Sequence, residues 1–238
     1  METGVVALLD ALGLKGIWAR AEPDQVVESW EEVLAAFAES ADKLKARLGR
    51  RRRTVVDTYK VVAFSDTIIV TLRTSDPAFY IPVMGGLIAG PFILGLTKGV
   101  YFRGTISIGK FHQTGSLIIG PAIDEAAEWY EQADWIGIST SPSAFFGLES
   151  LVDMGMDVTE FFVRYNIPMK SDMMPSGWAL AWPSPSLLKR IGKESRATGK
   201  TAILQAFASR PVSIEAALKF HNTLSFFDHV VRSRRRRR

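Results

Sequence analysis

The 238-residue chain contains no cysteine. Disulfides, zinc-thiolate sites and cysteine nucleophiles are therefore excluded, and nothing points to an oxidising compartment. The first ten residues are too short and too acidic for a secretory signal peptide. We therefore predict a cytoplasmic protein.

Basic residues outnumber acidic ones only because of the C-terminus. Lysine and arginine number 29 against 25 acidic residues, but five arginines form the run Arg234–Arg238 and leave 24 for the remainder. A protein that follows a phosphate backbone needs basic residues spread over a folded face. The sequence therefore predicts no nucleic-acid partner, and residues 234–238 are predicted to be a separate basic tail.

One segment is long and apolar enough to suggest a membrane span. Residues 77–97 contain no charged side chain and reach the length of about 20 residues that crosses a bilayer. Pro82, Pro91 and four glycines weaken a spanning helix, and no basic cluster close to one end would orient it. A buried core or interface helix is favoured, so we expect no membrane span.

Hydrophobic periodicity predicts a sheet layered with helices, which is an α+β organisation. The run Val5–Leu9 is typical of a buried strand, and apolar residues three and four apart over 23–48 are typical of an amphipathic helix. The other predicted strands cover 54–64, 67–73, 100–109, 116–119 and 135–139, the other helices cover 77–97, 121–132, 142–153 and 212–231, and 165–185 is predicted to be a loop or extended arm.

Two aspartates occupy comparable positions in these elements. Asp10 follows the first apolar strand, and Asp66 lies at the tip of the hairpin between 54–64 and 67–73. Two carboxylates at the ends of neighbouring strands suit Mg²⁺ or Mn²⁺, and two such ions can flank an in-line attack at phosphorus. Taken singly, each aspartate is better explained as a turn residue or a strand-end cap.

Four short motifs occur in the order and spacing of one protein family. They are the apolar strand with Asp10 and Gly13, the hairpin around Asp66, Arg103 six residues before Gly109, and the helix start Gly120–Glu128. Over residues 4–150 the sequence thus resembles the class III nucleotidyl cyclase catalytic domain. The resemblance implies a ferredoxin-like fold, with a mixed, mostly antiparallel sheet flanked by helices, over residues 1–154. Residues 155–233 would form a C-terminal extension that packs on the core or on a dimer interface.

The same resemblance implies roles for individual residues. Asp10 and Asp66 would hold two Mn²⁺ or Mg²⁺ ions, with the Ala11 carbonyl as a further ligand. Arg103 would contact the substrate phosphates, because a planar guanidinium engages two oxygens. The backbone of the following loop would bind the triphosphate through Leu12, Gly13, Leu14 and Lys15.

Four positions depart from the family pattern. Val62 and Leu117 stand where purine cyclases have a base-contacting lysine and aspartate, so the usual purine contacts are excluded. Asp124 and Glu128 stand at the positions of the transition-state asparagine and arginine. Two interpretations remain: the chain is a poor or inactive cyclase, or another basic residue substitutes, with the candidates Lys15, Lys60 and Lys110.

These departures, together with the C-terminal extension, resemble the bacterial pyrimidine cyclases of the Pycsar antiphage system. That resemblance implies a homodimer that converts UTP or CTP to the 3′,5′-cyclic nucleotide, which a separate effector senses. Tyr59 is a candidate for framing the smaller base, although an aromatic residue on an apolar strand is more often part of the core. The alternatives are a degenerate cyclase-like domain that binds a nucleotide or a partner without turnover, and a purine cyclase with atypical base contacts.

Overall fold

A computed structural model describes residues 1–12, 22–46, 54–171, 174–184, 187, 204 and 214–235. The described helices and strands are β1 (Glu2–Leu12), α1 (Pro23–Lys45), β2 (Lys60–Phe64), β3 (Thr67–Arg73), α2 (Pro77–Lys98), β4 (Tyr101–Thr114), β5 (Leu117–Ile119), α3 (Pro121–Gln132), β6 (Gly137–Thr140), α4 (Pro142–Asp153), β7 (Phe162–Asn166), β8 (Ser176–Leu180) and α5 (Ile214–Arg235).

The strands form one mixed sheet in the order β2-β3-β1-β4-β6-β8-β7, and β5 pairs with β4. All of these pairings are antiparallel except that of β4 with β6. The predicted α+β class, with a mostly antiparallel sheet flanked by helices, is confirmed.

The two faces of the sheet are covered differently. Val5, Ala7 and Leu9 of β1 project from the core face into the large apolar core, to which α1, α2 and α4 contribute. Val6 and Leu8 project from the opposite side, here called the α3 face, and pack with apolar residues of α3. Alternation along a strand places Asp10 on the α3 face.

Helix α2 is long and apolar enough to cross a membrane. However, 67% of its most apolar 18-residue stretch is buried inside the protein. Gly85 and Gly86 allow close packing near its centre. A Cβ on Gly85 would lie 3.0 Å from the Phe162 ring, and one on Gly86 would lie 3.2 Å from the Phe161 ring. Gly99 ends the helix in the left-handed conformation, with φ of 75°. This burial favours the predicted core helix.

The predicted strand over 54–64 is wrong in its first half. Residues 54–56 form a helical turn, and β2 begins only at Lys60. The Thr58 hydroxyl donates to the Val55 carbonyl at 2.7 Å and accepts from the Arg73 N–H at 2.8 Å, so it ties this turn to β3. The valines that suggested a strand instead help to anchor the turn, and Val56 is buried in the core.

The prediction of a loop or extended arm over 165–185 is also wrong, because this range contains the end of β7 and all of β8. These strands pair with each other, and β8 pairs with β6, so the chain after residue 154 extends the same sheet. Helix α5 continues to Arg235 and so includes the first two residues of the predicted tail. Residues 236–238 lie outside the described residues.

Candidate functional site

Asp10 lies near the C-terminal end of β1, between two partner strands. It is opposite Thr67 on β3 and opposite Arg103 on β4. Residues directly opposite each other in an antiparallel pair project to the same face, so Asp10 and Arg103 share the α3 face. Their side chains are only 15% and 14% exposed.

The β2–β3 turn brings Asp66 to the same end of β1. The turn is tight, and Ser65 has a positive φ of 55°, a value that hairpin turns require at a central position. The Ala11 N–H donates to the Asp66 carbonyl at 2.8 Å. Because the N–H and C=O of a strand residue point to the same neighbour, the Ala11 carbonyl also faces the Asp66 turn.

Three contacts hold the Arg103 guanidinium. Its Nε donates to Asp10 Oδ2 at 3.0 Å, and its Nη1 donates to the Glu131 carbonyl at 3.2 Å. The guanidinium carbon also lies 5.4 Å from the centre of the Tyr130 ring, within the range of a cation–π contact. The end of α3 therefore positions the arginine that neutralises Asp10.

The electrostatics of this cluster favour a further cation. Burial is the largest cause that raises the pKa of Asp10, and the charges of Asp66 and Glu131 raise it further, against the lowering effect of Arg103. Burial and the Asp10 charge likewise raise the pKa of Tyr130. Burial and these two negative charges thus disfavour the charged form of Asp10, and an added divalent cation would offset that penalty.

The oxygen donors near Asp10 suit a hard cation but do not complete its coordination shell. Asp10 and Asp66 offer carboxylate oxygens, and within the described ranges no group of three or more His, Asp or Glu side chains is placed to hold a metal ion. Mg²⁺ and Mn²⁺ bind through one or two carboxylates, with waters and substrate phosphates completing the shell. The two aspartates therefore fit a metal that is bound together with a phosphorylated ligand.

Tyr130 and Glu131 were missed by sequence reasoning. Tyr130 follows the buried Ala126 by four residues, which places both on the side of α3 that faces the sheet. This spacing could have identified Tyr130, whereas Glu131 contributes a backbone carbonyl, which leaves no signature in a sequence.

Tyr59 is the predicted site residue that the structure places elsewhere. Its hydroxyl donates to the Phe37 carbonyl at 2.8 Å and lies 3.0 Å from the Ser40 hydroxyl, so it ties β2 to α1. Burial raises its pKa. About 16 Å of strand separates Tyr59 from Phe64 at the turn, so this placement gives no support to contact with a base at Asp66.

The predicted phosphate-binding loop begins where the description of β1 ends. Leu12 is half-buried and lies opposite Tyr101 on β4. The remaining members of the predicted loop, Gly13, Leu14 and Lys15, lie outside the described residues.

The positions that depart from the family pattern are accessible. Val62 is half-buried on β2, and Leu117 is 52% exposed on β5. Asp124 and Glu128 are both exposed on α3. None of the four side chains is fully buried within the chain.

The candidate replacement lysines among the described residues lie far from Asp10. Lys110 is opposite Thr3, near the other end of β1 and about 23 Å along the strand from Asp10. Lys60 is at the end of β2 remote from the Asp66 turn. Neither lysine can reach Asp10 of its own chain.

No protein-family model and no curated protein matches the sequence. Among solved structures, the chain is similar to the catalytic core of a rhodopsin-guanylyl cyclase with converted specificity in complex with ATPαS, with a TM-score of 0.52, 13% identity, and coverage of 75% of this chain and 95% of that one. It is also similar to the guanylate cyclase domain of RhGC from Catenaria anguillulae in complex with GTP (TM-score 0.46, 11% identity, 75% and 96% covered) and to a bacterial light-regulated adenylyl cyclase (TM-score 0.47, 10% identity, 87% and 97% covered). The first of these likenesses, together with the sheet order and the flanking helices, shows that the chain has the fold of class III nucleotidyl cyclase catalytic domains.

Proposed function

We propose that this chain is a metal-dependent nucleotidyl cyclase that acts on a pyrimidine nucleoside triphosphate, UTP or CTP. The main support is the convergence of Asp10, Asp66 and Arg103 at one end of β1, on the fold of cyclase catalytic domains. In the reaction, the ribose 3′-oxygen forms a bond to the α-phosphorus and loses its proton. The bond from the α-phosphorus to the bridging oxygen breaks, and pyrophosphate leaves.

Asp10 and Asp66 would hold two Mg²⁺ or Mn²⁺ ions, with the Ala11 carbonyl as a further ligand. The hard oxygen donors fit such ions, and so does the raised pKa of Asp10, which a bound cation would lower. When bound, the ions would lower the pKa of the attacking hydroxyl and stabilise the charge on the phosphates.

Arg103 would supply the fixed positive charge on the phosphate side of this site. The Glu131 carbonyl and the Tyr130 ring hold its guanidinium in place before substrate arrives. Donors that are already oriented stabilise developing charge without a cost of reorganisation. Leu12 and the predicted loop residues Gly13, Leu14 and Lys15 would bind the triphosphate through backbone N–H groups.

The pyrimidine preference rests on Val62 and Leu117. Neither side chain can donate or accept a hydrogen bond, so the usual polar contacts to a purine ring cannot form at these positions. Both are accessible, which leaves room for a base against them. A homodimer would place residues of a second copy beside these positions, and the cyclic product would act as a cytoplasmic antiphage signal for a separate effector.

The direct test is incubation of the purified full chain with Mn²⁺ or Mg²⁺ and each of the four ribonucleoside triphosphates. Products are identified by chromatography and mass spectrometry, and the oligomeric state by light scattering. We expect 3′,5′-cyclic UMP or CMP and pyrophosphate. Asp66→Asn is the control, since it removes one carboxylate from the site at nearly constant volume. A cyclic purine product would overturn the pyrimidine preference, and no cyclic product from any triphosphate in a dimeric preparation would overturn the enzymatic proposal.

A second candidate function is nucleotide binding without turnover. Asp124 and Glu128 favour it, because acidic residues stand where the resemblance calls for an amide and a cation. Calorimetric titration with a triphosphate that has a non-cleavable α,β-linkage separates the two: binding without turnover of the natural triphosphate supports this second function.

A further inference from the structure

Helix α5 is joined to the segment that follows α3 by a shielded ion pair. Lys219 Nζ lies 3.1 Å from Asp134 Oδ1, and the two side chains are only 11% and 17% exposed. The Asn222 side chain also donates to the Asp134 carbonyl at 2.7 Å. Residues one helical turn apart on α5 therefore bind both the side chain and the backbone of Asp134.

The next two residues of the segment are bound by the same helix. The Ile136 N–H donates to the hydroxyl of the fully buried Thr223 at 2.9 Å. The Trp135 ring meets the Phe226 ring edge-on, with centroids 4.7 Å apart. Helix α5 thus contacts three successive residues, 134–136.

This segment is bounded at both ends by Arg103. Before it, the Glu131 carbonyl accepts from the Arg103 guanidinium, and the Tyr130 ring lies beneath that group. After it, Gly137 is the residue opposite Arg103 in the parallel pairing of β4 and β6. A shift of residues 131–136 therefore moves the groups that hold the guanidinium.

Helix α5 also contacts the strand beside the predicted phosphate-binding loop. The Phe220 ring lies edge-on to Tyr101, at a centroid distance of 6.0 Å. Tyr101 is opposite Leu12, the one member of that predicted loop among the described residues. Helix α5 therefore contacts both the segment beside Arg103 and the residue opposite Leu12.

We propose that α5 is a positioning element of the site, and that Lys219 is a positioning residue that acts on Arg103 through Asp134. This inference rests on the proposed function and deepens it, because it assigns the C-terminal extension a role in phosphate binding. Loss of the lysine leaves the half-buried Asp134 carboxylate without this partner, and such a group is stabilised by moving toward water. Movement of Asp134 displaces the Glu131 carbonyl and loosens the guanidinium.

The test compares the full-length variants Lys219→Met, Lys219→Arg and Arg232→Met with the wild type. Lys219→Arg keeps the charge within reach of Asp134. Arg232→Met is the matched control, since it removes one positive charge from the same helix at an exposed pair with Asp228. Each protein is assayed for kcat and KM. The Nε–H resonance of Arg103 is followed by NMR, and it is assigned by its absence from the spectrum of Arg103→Lys.

We expect Lys219→Met to lower kcat about 10- to 100-fold, as small displacements of a phosphate-binding group do. KM should change less, Lys219→Arg should restore most of the rate, and Arg232→Met should behave as the wild type. The proposal is overturned if Lys219→Met retains kcat within about twofold of the wild type, or if Arg232→Met is equally impaired. If Lys219→Met does not fold, Asn222→Ala is judged by the same criteria, because it removes the donor to the Asp134 carbonyl and keeps the ion pair.

The NMR measurement distinguishes a failure of the positioning role from a failure of the proposed function. If the wild type cyclises no triphosphate, the enzymatic proposal fails, and the Arg103 resonance alone decides the positioning role. A shifted or broadened resonance in Lys219→Met, with an unchanged one in Arg232→Met, supports that role. An unchanged resonance in both variants overturns it.

Discussion

The core face and the α3 face of the sheet differ in what their side chains do. On the core face, the β1 residues Val5, Ala7 and Leu9 are fully buried against helices. On the α3 face the same strand carries Asp10 near its end, and its neighbour β4 presents Arg103, Thr105 and Ser107. The apolar core and the candidate site therefore lie on opposite sides of one strand.

Two buried hydroxyls on the α3 face have specific partners. The Ser107 hydroxyl donates to the Ala122 carbonyl at 2.6 Å, and the Thr71 hydroxyl donates to Gln113 Oε1 at 2.8 Å. Buried hydroxyls need such partners, and these bonds attach α3 and the β4–β5 hairpin to the sheet. The α3 face thus gains orientation from hydrogen bonds, whereas the core face gains stability from apolar burial.

The largest expected effect comes from truncating a phenylalanine on the core side. Phe37 is fully buried and meets Phe102 edge-on, whereas Phe64 is 83% exposed beside the Asp66 turn. Phe37→Ala should lower the free energy of unfolding by about 3–5 kcal/mol, and Phe64→Ala by no more than about 0.5 kcal/mol. Urea denaturation measures both, and equal losses would contradict the assignment of stability to the core side.

The second expected effect is on activity alone. Asp10→Asn should lower kcat/KM about 100- to 1,000-fold, as removal of a group that stabilises developing charge does. Because the folded-state pKa of Asp10 is raised, its carboxylate reduces stability at neutral pH, and this penalty disappears as the pH falls through the folded-state value. The neutral amide should therefore leave the Tm unchanged or higher. A lower Tm together with retained turnover would contradict the separation of the two faces.

Elements with local signals could be predicted from the sequence. Helices α3 and α4 have the predicted bounds, because Pro121 and Pro142 mark their first turns. Strands β7 and β8 were missed because a short strand is stabilised by partners distant in sequence, in this case β6 for β8. The convergence of Asp10, Asp66 and Arg103 was anticipated from motif order, whereas the contacts of Tyr130 and Glu131 depend on the register of α3 against the sheet.

A smaller effect on stability is expected at Tyr59. It tests whether the end of the β2–β3 hairpin remote from Asp66 stabilises the fold and does not contact the substrate. Tyr59→Phe removes the hydrogen bond to the Phe37 carbonyl and should cost about 1 kcal/mol of stability. Ser40→Ala keeps that bond and should cost less. Neither change should alter kcat or KM, and a raised KM in Tyr59→Phe would place this tyrosine at the base instead.

The smallest effect is expected from the five C-terminal arginines, which test whether the site depends on general positive charge or on Arg103 alone. Because α5 continues to Arg235, deletion of Arg234–Arg238 removes cations from a helix C-terminus, where they stabilise the helix by about 0.3–1 kcal/mol at low salt. The Tm should therefore fall slightly, and the difference should shrink as NaCl is raised, since exposed charges are screened. Turnover should not change, because the guanidinium at Asp10 is held by Tyr130 and Glu131. A salt-dependent rise in KM on deletion would instead show that the C-terminal charge attracts the triphosphate, and the charge of the site would then not be confined to the α3 face.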